Sequence, residues 1–158
     1  MSGPTSAVPV AEAAAHLNND DVIRLAGNTL THFCHQASMR GGWWADRGTG
    51  LDLREAIHRD DDAMAVLIGK TVVAQKLMLI VSEVSEAMEG FRKGLADDHL
   101  PHRPMLEVEL ADAVIRIADL AGACALDLGG AIAEKLAYNA QRADHKPEAR
   151  AAEGGKAF

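Results

Sequence analysis

Cysteine, proline and aromatic residues are all scarce in this chain, and each scarcity removes a class of protein. Two cysteines, Cys34 and Cys124, cannot build a disulfide framework, and no basic-then-apolar leader opens the sequence, so the expected setting is the cytoplasm. Six aromatic residues against abundant Ala, Leu, Val and Ile, with little proline between the tails, favour packed helices over a sheet. Positive charge is in deficit as well. Sixteen basic against 23 acidic residues leave a net charge of −7, which argues against nucleic acid or an anionic membrane as partner. Apolar runs such as residues 77–81 are far shorter than the roughly 20 residues that span a bilayer. What remains is a chain of 158 residues, 48% apolar, enough to bury one core. The expectation is a single all-α domain over residues 11–146, between flexible tails at 1–10 and 147–158.

The periodicity predicts a first helix from Asn19, carrying Ile23, Ala26, Leu30, Phe33 and Ala37 at helical spacing and stopped by Gly41-Gly42. Residues 43–51 read as a loop, after which Asp52 caps a short helix that ends near Asp60-Asp61-Asp62, where the next begins. That next helix is expected from about Ala63 to Arg92, with Leu77, Ile80, Val84, Met88 and Phe91 as its core stripe and Gly94 at its end. Residues 96–104, with Pro101 and Pro104, form a connection. A further helix resumes near Met105 with the stripe Leu106, Leu110, Val114, Ile117 and Ala121. Glu109, Asp112, Arg116 and Asp119 lie on its other side. Asp127 is placed to cap a last helix, on which Lys135, Asn139 and Arg142 recur at i, i+4 and i+7 as a narrow polar row.

Two acidic pairs of one spacing stand out: Glu83-x-x-Glu86 and Glu109-x-x-Asp112. Residues three apart share a helix face. Two antiparallel helices that each carry such a pair can aim four carboxylates into one groove, which a hard divalent cation makes tolerable. The bland alternatives are a solvated acidic face and, for Asp112 with Arg116, an i, i+4 ion pair. Gly90 beside one pair, and the downstream row of Lys135, Asn139 and Arg142, favour a metal site for a phosphate compound. In such a site carboxylates hold magnesium, and Lys, Arg and Asn take phosphate oxygens.

The segments KLMLIVSEVSEAMEGFRKG, EVELADAVIRIADLAG and LDLGGAIAEKLAYNAQRADHK resemble the MazG-like family of all-α nucleoside triphosphate pyrophosphohydrolases. The resemblance covers residues 76–146, with a further echo in HQASMRGGWW upstream. It implies a bundle of about four to five helices completed by oligomerisation, as a homodimer or a dimer of dimers. The implied activity is hydrolysis of a (deoxy)nucleoside triphosphate between its α and β phosphates, giving the monophosphate and pyrophosphate. One or two Mg²⁺ ions, with Mn²⁺ able to substitute, would be held by Glu83, Glu86, Glu109 and Asp112, and Glu83 or Glu86 would orient the attacking water. Lys135, Asn139 and Arg142 match the family's phosphate contacts. The alternative is a noncatalytic nucleotide- or partner-binding module of the same fold. Residues 47–65 depart from the compact family pattern.

Softer candidates surround these. Asp119, one heptad beyond Asp112, reads as a further ligand, a base contact or a surface acid. Trp43 or Trp44 offers an indole for stacking on a nucleobase, or a plug for the core. His35 reads as a phosphate or base contact, or as a helix-surface histidine. His32 with His35 is thin as a zinc motif, and Glu55-x-x-His58 lacks the second copy that a di-iron bundle needs.

Overall fold

The structure, a computed structural model, describes residues 18–151. The expected tail at 1–10, the first residues of the expected domain, and residues 152–158 lie outside that range. Every regular element among the described residues is helical: α1 (Asn19–Arg40), α2 (Leu53–His58), α3 (Ala63–Lys93), α4 (Met105–Ala123), α5 (Leu128–Gln141), a 3₁₀ turn (Ala143–His145) and α6 (Pro147–Ala151). Two isolated antiparallel bridges, Ala45 with Asp52 and Ala96 with Pro104, interrupt the pattern among these residues. The chain divides into two compact units, one formed by Thr29–Asp127 and the other by the residues up to Asn28 with those from Leu128.

Local chemistry sets the helix ends. The side chain of Asp52 accepts the Arg54 amide at the start of α2, and that of Asp62 accepts the Ala65 amide at the start of α3. At the far end of α3, Gly94 adopts φ +64°, ψ +40°, and its N–H returns to the helix's last carbonyls. The 31 residues of α3 therefore run between two strong stops.

In the Thr29–Asp127 unit, α3 packs against α2 and along α4. Contacts between Gly90 and Met105 near one end, and between Glu83 and Arg116 further along, make α3 and α4 an antiparallel hairpin. Small residues bring the backbones together. A Cβ on Gly69 would lie 2.3 Å from the Ala56 carbonyl oxygen, and one on Gly122 would lie 2.6 Å from the His35 Cβ. Trp44, 2% exposed, centres a core with Val72, Leu120 and Ala123, flanked by Met39, Ile57, Ile68 and Ile80.

Which helix faces are buried differs from the periodic expectation. On α3 the inward residues are Ala65, Gly69, Val72, Glu83, Ala87 and Gly90, whereas Leu77, Val84, Met88 and Phe91 are exposed, Phe91 at 73%. On α4, Leu110, Val114 and Ile117 are likewise exposed while Glu109, Ala113 and Asp119 are buried. The same holds on α1, where Leu30 and Phe33 face outward and Thr31 inward. Tight helix contact selects small residues, so the larger apolar stripes are left on the outside. One consequence is that α3 is long and apolar enough, by length and composition, to cross a membrane, a property that its short apolar runs conceal.

In the other unit, the first turns of α1 meet α5 at a glycine contact. A Cβ on Gly129 would lie 2.2 Å from the Arg24 carbonyl oxygen, and the Gly129 amide donates to the Asn28 side chain at 2.9 Å.

Candidate metal centre

The hairpin geometry brings three of the four predicted acids together. Oxygens of Glu83, Glu86 and Glu109 lie within 4.8 Å of one another, Glu83 and Glu109 buried and Glu86 exposed. Gly90, one turn from Glu86, receives the Met105 side chain, so the space it leaves is filled by α4 and draws the two acidic stretches together. Asp112 stands apart from this cluster, exposed on α4, and lines an adjoining pocket instead.

Burial and crowding disturb the charge of these groups. The Glu109 carboxyl is pushed up to about 7, first by burial, next by its hydrogen bond to Glu83, and then by the negative charges of Glu86, Glu83 and Asp112. A proton, or a cation, is thus wanted here at neutral pH. Part of the compensation comes from Arg116, whose Nε lies 2.6 Å from Glu83 Oε1. The contact is an ion pair without hydrogen-bond alignment, since the buried Nε–H has no acceptor in line. Arg116 therefore reaches across to Glu83 on α3 rather than pairing with Asp112 on its own helix.

Beside the cluster lies a polar network built on Asp119. Asp119 is buried, and its Oδ1 accepts the Trp44 indole N–H at 2.8 Å and faces His35 Nδ1 at 2.8 Å. With a carboxylate as acceptor, the His35 proton sits on Nδ1. Asp119 is thus neither a surface acid nor a member of the three-carboxylate cluster. It is the buried acceptor that ties α1, the Trp loop and α4 together. Trp44 is sealed in the core, its ring edge-on to His35 and capped by the Lys76 ammonium at 4.2 Å. Trp43, 67% exposed, is the indole that remains open to a ligand. One signal for this network was present: a Trp after a helix stop needs an acceptor for its N–H, and Asp119 precedes by one turn the Gly122 that admits the His35 ring.

Trp43, Lys76, Asp112, Arg116 and Asp119, with Ser38 and Ile115, line a pocket of about 200 Å³. Lys76 stands seven residues before Glu83, and Arg116 seven after Glu109, so both lie on the acid-bearing faces of their helices. The Lys76 ammonium is lowered chiefly by burial, against the pull of Asp119 and with the push of Arg116.

The remaining predicted residues lie in the other unit. Lys135 stands 4.9 Å over the Tyr138 ring. The side-chain oxygen of Asn139 is buried without a hydrogen-bond partner. Arg142 is a departure from the predicted row: α5 ends at Gln141, and the Arg142 guanidinium grips Asp144 through Nε at 2.9 Å and Nη2 at 2.6 Å. The rejected motifs are also accounted for. His58 Nε2 bonds the Ala123 carbonyl at 2.7 Å, and His32 packs edge-on against Phe33. Comparison of the chain with family models, with curated proteins and with solved structures finds no match in any of the three.

Proposed function

We propose that this chain is a Mg²⁺-dependent nucleoside triphosphate pyrophosphohydrolase, a reading carried by the convergence of Glu83, Glu86 and Glu109 on one point. The donor set is all oxygen and all carboxylate, which suits a hard cation. Its spread, within 4.8 Å, is close to the roughly 3–4 Å between oxygens around Mg²⁺. Asp112, at the edge of the adjoining pocket, is a further oxygen donor within the same unit. The resemblance of residues 76–146 to the MazG-like family supplies the reaction, hydrolysis between the α and β phosphates.

Bound Mg²⁺ would neutralise phosphate oxygens and draw charge from the breaking bridge. The protein's own residues do the rest. Glu83, buried and held by Arg116, is suited to stay fixed as a ligand. Glu86, exposed and without an ion-pair partner among the described residues, is suited to orient a water and take its proton. In-line attack then breaks the α–β bridge, releasing a monophosphate and pyrophosphate. Trp43, the exposed indole, would stack on the base, and Lys135, Asn139 and Arg142 are the phosphate contacts that the resemblance implies.

A second copy of the chain is part of this reading. Leu77, Val81, Val84, Met88 and Phe91 recur along one stripe of α3, all exposed, and a soluble monomer rarely leaves so continuous an apolar surface open. A homodimer, or a pair of dimers, covers it and leaves the acidic face inside its own hairpin.

The test is pyrophosphate release from a panel of ribo- and deoxynucleoside triphosphates, with Mg²⁺ and with EDTA. Turnover that needs Mg²⁺ and is lost in Glu86→Gln is the expected result. Orthophosphate release, or no turnover of any nucleotide, overturns the proposal. The alternative, a noncatalytic binding module, draws on the Glu83–Arg116 pair, which gives the cluster a positive counter-charge of its own. Saturable nucleotide binding with no hydrolysis would select it.

A further inference from the structure

We propose that Lys76 and Arg116 form an anion-binding arm beside the carboxylates, taking the phosphate oxygens of the substrate once a divalent cation releases Arg116 from Glu83. The inference rests on the reading of Glu83, Glu86 and Glu109 as a metal site, and adds to it the groups that hold the anion within the same unit. The two cations come from facing helices and line one pocket with Trp43, Asp112 and Asp119. The two cations repel across a pocket of about 200 Å³ that Asp112 and Asp119 also line, and an anion held between Lys76 and Arg116 turns that repulsion into attraction.

Each cation is held but not used up. Lys76 donates to the Trp43 carbonyl at 3.3 Å and rests over the Trp44 ring, contacts that fix its direction while leaving ammonium donors for a ligand. Arg116 meets Glu83 through Nε, and its Nε–H finds no aligned acceptor. Its two terminal nitrogens form the edge of a guanidinium that grips phosphate in bidentate fashion. Asp119, the other acid lining the pocket, already accepts from Trp44 and His35 through Oδ1. Its charge steadies Lys76 without closing the site.

Arg116 and a divalent cation compete for the same Glu83 carboxylate. A doubly charged ion on Glu83 would displace the singly charged guanidinium, which would then face the pocket free of Glu83, with Asp112 and Asp119 as the acids that share the lining. Metal and polyanion binding are therefore positively coupled. Removal of Arg116 should tighten metal binding and weaken anion binding, whereas removal of Lys76 should weaken only the anion.

The test measures Mn²⁺ binding, and inorganic tripolyphosphate binding with and without Mn²⁺, by calorimetry on the full chain and on the variants Arg116→Gln, Arg116→Lys and Lys76→Met. In the wild type, Mn²⁺ should tighten tripolyphosphate by about tenfold or more. In its presence, Arg116→Gln and Lys76→Met should each weaken tripolyphosphate by about tenfold, the loss of one charge-assisted contact. Arg116→Gln should bind Mn²⁺ alone a few-fold more tightly, Lys76→Met should bind it as the wild type does, and Arg116→Lys should recover part of the anion affinity. Thermal melts establish that each variant is folded. Unchanged tripolyphosphate affinity in both neutral variants, or Mn²⁺ binding weakened by Arg116→Gln, overturns the proposal. No Mn²⁺ binding by the wild type sinks the metal reading and this arm with it. Mn²⁺ binding without turnover of any nucleotide sinks only the enzymatic reading, and the tripolyphosphate affinities then decide the arm by themselves.

Discussion

Replacing Glu109 by Gln should stabilise the metal-free protein while abolishing its response to a divalent cation. Gln keeps the size of Glu109 and a donor for Glu83, and removes a charge that burial and three neighbouring acids oppose. The displacement of the Glu109 carboxyl from 4.5 to about 7 corresponds to about 3 kcal/mol. Side-chain relaxation and water entry reduce this, and about 1–3 kcal/mol is the expected gain, or roughly 2–10 °C in melting temperature for a domain of this size. The folded state raises this group above its unfolded value, so the protonated form is the one the fold favours. Wild-type stability from this group is greatest below about pH 4.5, falls as pH rises to about 7, and is flat above that. The advantage of Glu109→Gln must therefore grow over the same window and level off beyond it. Melts followed by circular dichroism in EDTA at pH 5 and pH 8 test this directly. A gain at pH 8 that shrinks at pH 5, together with an upward shift on adding Mg²⁺ or Mn²⁺ that only the wild type shows, is the expected pattern. A variant that is neutral or less stable at pH 8 in EDTA, or one whose gain is the same at both pH values, would refute the reasoning.

Three further outcomes follow from the same structure. Cation binding should release protons below pH 7, where Glu109 still holds one, and release almost none at pH 8.5; calorimetry in buffers of different ionisation enthalpy measures the difference. Trp44→Phe keeps the plug but removes the donor to buried Asp119, and should cost about 1–3 kcal/mol in urea unfolding; no loss would mean that the Asp119 network bears no weight. The double variant Met88→Glu/Phe91→Glu, on the exposed stripe of α3, should reduce the mass in light scattering from at least twice 16.8 kDa to a single chain, and a monomeric wild type would dispose of the dimer.

Helix boundaries were legible because local chemistry writes them. Asp52 and Asp62 each satisfy an amide at a helix start, and Gly94 tolerates the left-handed backbone that ends α3. The inward faces were not legible. Hydrophobic periodicity identifies an apolar stripe but does not say whether that stripe meets its own chain or another surface, and on α3 and α4 it is the small and acidic residues that meet. The partners of Arg116 and Asp119 were equally hidden, since an i, i+4 neighbour is visible in one dimension and a residue on a facing helix is not.

The amino-acid sequence by itself determined an all-helical chain, the positions of its caps, and the placement of two acidic pairs on consecutive helices, because each of these depends on interactions within a turn or two of backbone. Only the tertiary structure decided that Glu83, Glu86 and Glu109 converge while Asp112 does not, that Arg116 enters the cluster, and that Trp44 plugs the core against Asp119 while Trp43 stays open. Those outcomes depend on how closely two helices approach and in what register. That approach is set by glycines and alanines at the contact, whose effect exists only when both helices are in place.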